Sequence, residues 1–316
     1  MFRSLTPPIL LADRIRQFNG LLPGVYDGAE DAIHDARVAL RRLRETLELV
    51  RDQYDQHALV AIEARLSKAA RALGRIRDAD CGQRVIQEVE RRFPFAAATL
   101  GRLRAACMDR QYKSRRKAVK KLDALELHTL PRILERAWQR PVRRWSNWKE
   151  TVLRHVALRA EDLRSSIDRG TGVYFSKRAH STRVAIKQLR DTLELAATLG
   201  ALTAARSVRL LKKAQDALGA AHDRDVLRKR LENLRRRDET TIDVIEADAL
   251  AHFLRTETLA LHQRYIDRRE ELLAICDLYT ATPRRGVTAA RVAVVAGLSL
   301  PPLLLWSRNS ASARTE

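Results

Sequence analysis

The stretch His34-Asp35-Ala36-Arg37-Val38-Ala39-Leu40-Arg41-Arg42-Leu43-Arg44-Glu45-Thr46-Leu47-Glu48-Leu49 decides the fold, because the chain writes it twice. The second copy, His180-Ser181-Thr182-Arg183-Val184-Ala185-Ile186-Lys187-Gln188-Leu189-Arg190-Asp191-Thr192-Leu193-Glu194-Leu195, stands 146 positions later (34 to 180). On a helix turning about 100° per residue, Arg37, Arg41 and Arg44 fall within about 80° of His34. Ala36, Leu40, Leu43 and Leu47 cluster roughly opposite. One face is therefore built to bury, and the other carries a histidine and three fixed positive charges. The second copy repeats that wheel with Lys187 in place of Arg41 and Gln188 in place of Arg42. Glu45 and Glu48 follow Arg41 and Arg44 by four residues, a spacing that predicts ion pairs along the same helix.

Working outward, a second match follows in the same order. Lys68-Ala69-Ala70-Arg71-Ala72-Leu73-Gly74 with Asp78-Ala79-Asp80 answers Lys213-Ala214-Gln215-Asp216-Ala217-Leu218-Gly219 with Asp223-Arg224-Asp225, 145 positions on. Two ordered matches at nearly one offset indicate an internal duplication. The expected organisation is a first half over 1–130, a Pro- and Trp-containing connection over 131–148, a second half over 149–285 and a tail over 286–316.

Within the first half, Ile9 to Phe18 is amphipathic, and Asn19-Gly20 and Pro23-Gly24 predict a turn. Asp31 stands where a cap would open the repeated helix, which is expected to run to about Tyr54. Leu59 to Leu73 continues at helical spacing. Gly74 is expected to interrupt it, with Asp78 and Asp80 capping a further helix or pairing with basic neighbours rather than binding Mg²⁺. A long helix is expected over Ala96 to Leu125, and a more weakly matched one over Ala249 to Leu278. Between the halves, Trp138, Trp145 and Trp148 are expected to pack the halves together. A helix from Trp148 to Ile167 precedes the second repeated helix as Ile9 to Phe18 precedes the first.

Composition agrees with an all-α chain. Hydrophobic residues make up 45%, enough for packed cores, while aromatics are only 5% and 12 Gly and 9 Pro are few for 316 residues. Sixty Lys and Arg against 39 Asp and Glu leave a formal charge of +21, which calls for a polyanionic partner: nucleic acid, anionic membrane or condensed phosphate. Cys81, Cys107 and Cys276 show no CxxC spacing, which speaks against a zinc or disulfide framework and for a reducing, cytoplasmic home. The tail from Gly286 to Trp306 is apolar but is interrupted by Arg291 and Pro301-Pro302. It is expected to be floppy or packed, or else to anchor at an interface, and not to span a bilayer.

The paired His-x-x-Arg-Val-Ala-x-[Arg/Lys]-x-Leu-Arg helices and the paired Leu-Gly-x-x-x-Asp-x-Asp segments resemble the conserved histidine α-helical domain (CHAD) family, over about residues 9 to 282. The resemblance implies two pseudo-twofold-related helical bundles with a basic central groove or pore, inorganic polyphosphate as ligand, and an association with polyphosphate granules. The ligand contacts expected on this basis are His34, Arg37, Arg41 and Arg44 with His180, Arg183, Lys187 and Arg190. Lys68, Arg71, Arg75, Tyr112, Arg116, Lys213 and Tyr265 form a second rank. No cofactor, metal or catalytic residue is expected, since there is no Gly-rich phosphate loop, no HExxH and no nucleophile with a base. The alternatives are a general nucleic-acid-binding basic protein and, behind it, a Mg²⁺-dependent polyphosphate-processing enzyme. No nucleic-acid-reading module stands in the sequence.

Overall fold

Leu11, Ile15, Phe18, Leu22 and Val25 recur every three or four residues, and in the computed structural model they are the buried stripe of one helix, α1 (Pro7–Tyr26). The structure describes residues 6–51, 56–138, 148–170, 173–237 and 243–281. The expected turn at Asn19-Gly20 and Pro23-Gly24 does not form. The helix runs through both pairs, because Phe18, Leu22 and Val25 are buried on either side and that burial outweighs the roughly 1 kcal/mol that each glycine costs a helix. The chain reverses instead at Asp27-Gly28, where Gly28 takes φ +79.

The first copy of the repeated stretch is α2 (Glu30–Leu49), which ends with Val50 as its C-cap; the expected reach to Tyr54 runs into residues outside those described. A β-carbon on Gly24 would stand 2.7 Å from that of Ala32, so α1 and α2 cross almost backbone to backbone. There follow α3 (Gln56–Glu90), a short 3₁₀ turn at Pro94–Ala96, α4 (Ala97–Asp123), a second 3₁₀ turn at Leu127–Thr129 and α5 (Leu130–Trp138). The second half supplies α6 (Trp148–Asp168), α7 (Ser176–Thr198), α8 (Ala205–Arg237), α9 (Val244–Ile266) and α10 (Arg269–Thr280). No strand occurs among the described residues, and the fold is all-α.

Two further boundaries differ from expectation. Gly74 does not interrupt α3, nor does Gly219 interrupt α8; both helices pass through. Ala72, Leu73 and Ile76 around Gly74, and Leu218 and Ala221 around Gly219, are buried, so packing holds the helix where propensity weakens it. The single helix expected over Ala249 to Leu278 is two, parted at Asp267 and Arg268. Asp243 caps α9, its carboxylate accepting from the Ile245 and Glu246 amides at 2.8 and 3.0 Å.

Packing follows one order in each half: α1 on α2, α2 on α3, α3 on α4, with α5 closing on α1 and α3; then α6 on α7, α7 on α8, α8 on α9, with α10 closing on α6 and α8. One core forms around Phe18, Leu43 and Leu66 within the first half, and a second around Leu163, Leu193 and Leu211 of the second half, which also takes in Leu10 and Leu49 of the first. A third core belongs to neither half. Ile86, Leu100 and Leu103 of α3 and α4 interdigitate there with Leu227, Leu250 and Leu254 of α8 and α9. The halves also meet where α2 packs on α7 and α3 on α8. Trp148 lies against the second core with the Lys149 ammonium over its ring, while Trp145, the Trp138 side chain and the tail fall outside the described residues.

Candidate functional site

The two repeated helices, α2 and α7, face each other, and polar groups fill the space between them. Arg41 Nε lies 2.7 Å from Asp191 Oδ2, and Arg190 reaches Asp191 Oδ1 at 3.1 Å and Glu194 at 3.4 Å. Glu45 is buried. It accepts a hydrogen bond from the Thr192 hydroxyl of α7 and lies 3.2 Å from His155 Nε2 of α6. Arg14 of α1 is buried too, donating to the Arg42 carbonyl at 2.6 Å and to the Thr46 hydroxyl. The intrahelical pairs expected for Glu45 and Glu48 give way to partners from other helices: His155 and Thr192 for Glu45, and Arg159 at 2.6 Å for Glu48. A neighbouring helix presents those groups at fixed positions, which a flexible i,i+4 pair on an exposed face cannot match.

Cations from both copies converge at this crossing. The Lys187 amine is pushed down from 10.5 to about 8, first by burial and then by the positive charges of Arg41, Arg37 and Arg183, with Asp191 opposing. Arg41 is lowered in the same way, by burial foremost. Asp191, between them, is raised by a burial that outweighs the pull of Arg41, Arg190 and Lys187. Although burial pushes the Glu45 carboxyl up, its hydrogen bonds from His155 and Thr192 bring it below the usual range. Beside the crossing opens a cavity of about 380 Å³, walled by α2, α3, α6 and α7. Arg41, Arg44, Arg51, Arg159 and Lys187 bring positive charge to its lining, and Glu45, Glu48, Glu63 and Asp191 bring negative.

The expected residues thus divide. Arg37, Arg41, Arg183 and Lys187 come together, half-buried, at the crossing. Arg44 is exposed at the cavity rim. Arg190 is 8% exposed and engaged with acids. His34 and His180 are both exposed, and the His180 ring lies 5.5 Å from that of His222 on α8. Lys68, Arg71, Arg75, Arg116 and Lys213 are exposed and outside the cavity lining. Tyr112 and Tyr265 are not equivalents: Tyr112 is 68% exposed, whereas Tyr265 is 4% exposed within the second core. Asp225 sits inside α8, not at a cap, and pairs with Arg228 and Lys229 at 2.9 and 2.7 Å; the Asp78 and Asp80 side chains fall outside what the structure describes.

Arg159, His155 and Arg51 escaped the sequence reasoning. A signal for Arg159 was present. Shifting α1 by 145 positions aligns Arg14 with Arg159 and the apolar Leu11, Ile15 and Phe18 with Val156, Ala160 and Leu163. His155 falls on Leu10 in that register and has no counterpart to mark it.

A family model described as the CHAD domain matches residues 9–232. The fold is similar to the crystal structure of the CHAD domain from the plant Ricinus communis, with a TM-score of 0.58 at 20% identity over 88% of this chain and 91% of that one. It is similar also to PptA from Streptomyces chartreusis, with a TM-score of 0.63 at 15% identity over 83% and 96% of the two chains. A search of curated proteins finds no significant match. Among the described residues no helix is long and apolar enough to cross a membrane.

Proposed function

We propose, from the premise that this chain belongs to the CHAD family, that it binds inorganic polyphosphate where α2 and α7 cross, and binds it without transforming it. One observation carries the proposal. Three cations from two sequence-related helices, Arg37, Arg41 and Arg183, stand close enough to Lys187 to lower its pKa alongside burial. Like charges gathered in this way repel, and Asp191 opposes that effect on Lys187 without cancelling it. A polyanion reverses the sign of that interaction. The recurrence of motif and packing order supports treating α2 and α7 as copies, so that their basic faces make one track.

Polyphosphate suits a track of this kind. It carries about one charge per phosphate on a flexible chain with no bases to read, so it needs cations in series and no oriented donor–acceptor code. Guanidinium forks grip phosphate oxygens two at a time, and Lys187 adds a point charge. His34 and His180, exposed at the start of their helices, extend the track toward solvent. Granule targeting or scaffolding is the role that fits binding without chemistry.

The test is a titration of long-chain polyphosphate into the full chain at physiological salt with excess duplex DNA present, repeated on Arg37→Ala/Arg183→Ala. Binding that withstands DNA and falls at least about tenfold in the double variant is expected, since a charge-assisted contact contributes about 1.5–3 kcal/mol. Displacement by DNA would give first place to general nucleic-acid binding. Mg²⁺-dependent release of phosphate would make the chain an enzyme.

A further inference from the structure

We infer that Glu45, Glu48 and His155 form a binding site for one divalent transition-metal ion, its two carboxylates lining the same cavity. The three side chains each offer a ligand atom, and all three atoms lie within 4.8 Å of one another. Glu45 and Glu48 stand three residues apart on α2 and so share a face, and His155 reaches the same point from α6. Both helices are anchored by buried neighbours, Leu43, Leu47 and Leu49 on α2 and Val152 and Val156 on α6, so the donors are held by scaffold and not by loops.

The chemistry of the donors selects the ion. One imidazole nitrogen with two carboxylates suits zinc or manganese, whereas Mg²⁺ and Ca²⁺ favour all-oxygen sets. Charge points the same way. Two carboxylates this close repel, and at present His155 lies beside Glu45 while Arg159 pairs with Glu48. Arg159 has a second acid, Asp162, at 3.5 Å, and keeps that partner when Glu48 turns to an ion. His155 is largely shielded, its side chain 13% exposed, which limits competition from water. Glu45 and Glu48 also line the cavity with Arg44, Arg159 and Lys187, so the ion's remaining positions open toward it. There, phosphate oxygens of a bound polyanion can complete its coordination; that last step rests on the polyphosphate reading, and the ion site itself does not.

The test is calorimetric titration of ZnCl₂ into the untagged full chain, without polyphosphate, compared with Glu48→Gln and His155→Asn. Both substitutions spare buried Glu45, and circular dichroism confirms that the variants are folded. Saturation at one ion per chain, with affinity lowered at least about tenfold in each variant, is expected. Absence of saturable binding, or equal binding by wild type and both variants, overturns the site. The arms separate the two proposals. A chain that takes Zn²⁺ but not polyphosphate loses only the polyphosphate reading, and one that takes polyphosphate but not Zn²⁺ loses only the metal site.

Discussion

Lys187 is the residue at which the proposed binding has a direct proton signature. Its amine is held at about 8 where 10.5 is ordinary, so in the folded chain it gives up its proton more readily than in the unfolded one. Between about pH 8 and 10.5 the unfolded state binds more protons, and this group's contribution to stability therefore improves as pH rises through that window. The proposed ligand would act with the opposite sign, because a polyanion beside the amine would restore the proton. At about pH 9, polyphosphate binding should take up a substantial fraction of one proton, read by calorimetry in buffers of different ionisation enthalpy. Lys187→Arg, which stays charged, should take up less; equal uptake in the two chains would remove Lys187 from the site. Asp191 answers a different question. Its carboxylate is buried between Arg41 and Arg190, so Asp191→Ala takes the paired acid from Arg41 and leaves Arg190 with Glu194 alone. The expected loss of unfolding free energy is about 3–5 kcal/mol, measured by urea denaturation. A loss below about 1 kcal/mol would show that the pair is not structural.

At the scale of elements, the repeated wheel was legible because two copies of the same pattern constrain each other. The buried face of α2, with Ala36, Leu40, Leu43 and Leu47, is the face the spacing indicates. What the sequence could not supply was the identity of partners across helices. Glu45 meets His155 and Thr192 only because α2 is crossed by α6 and α7, and no local spacing encodes a crossing. The breaks were misplaced for a related reason: glycine is a weak local signal, and burial around Gly74 and Gly219 overrides it. This has a direct test. A β-carbon on Gly74 would meet nothing within 4 Å, so Gly74→Ala should stabilise the chain by about 0.5–1 kcal/mol in thermal or urea unfolding. Destabilisation would mean that α3 bends or breaks there after all.

At the scale of the molecule, the halves expected from the repeat are not independent bodies. Ile86, Leu100 and Leu103 from one half and Leu227, Leu250 and Leu254 from the other bury one another in the third core, and the Thr99 hydroxyl donates to Glu246 at 2.7 Å across it. Leu227→Ala should therefore cost about 2–5 kcal/mol, and the loss should also destabilise the first half, seen as faster amide exchange in α3 and α4. Exchange confined to α8 and α9 would show the halves to be uncoupled. The same architecture brings the cations of α2 and α7 into one place. The proposed site draws on both helices there, from Arg37 and Arg41 of α2 and Arg183 and Lys187 of α7, all half-buried.

That claim of one shared site is tested most directly by stoichiometry. Tripolyphosphate titrated into the wild-type chain, Arg37→Ala and Arg183→Ala should show one binding event per chain, weakened about tenfold or more by either substitution. Two events per chain, with each substitution abolishing one and sparing the other, would mean that α2 and α7 bind separately and that their convergence has no bearing on the ligand.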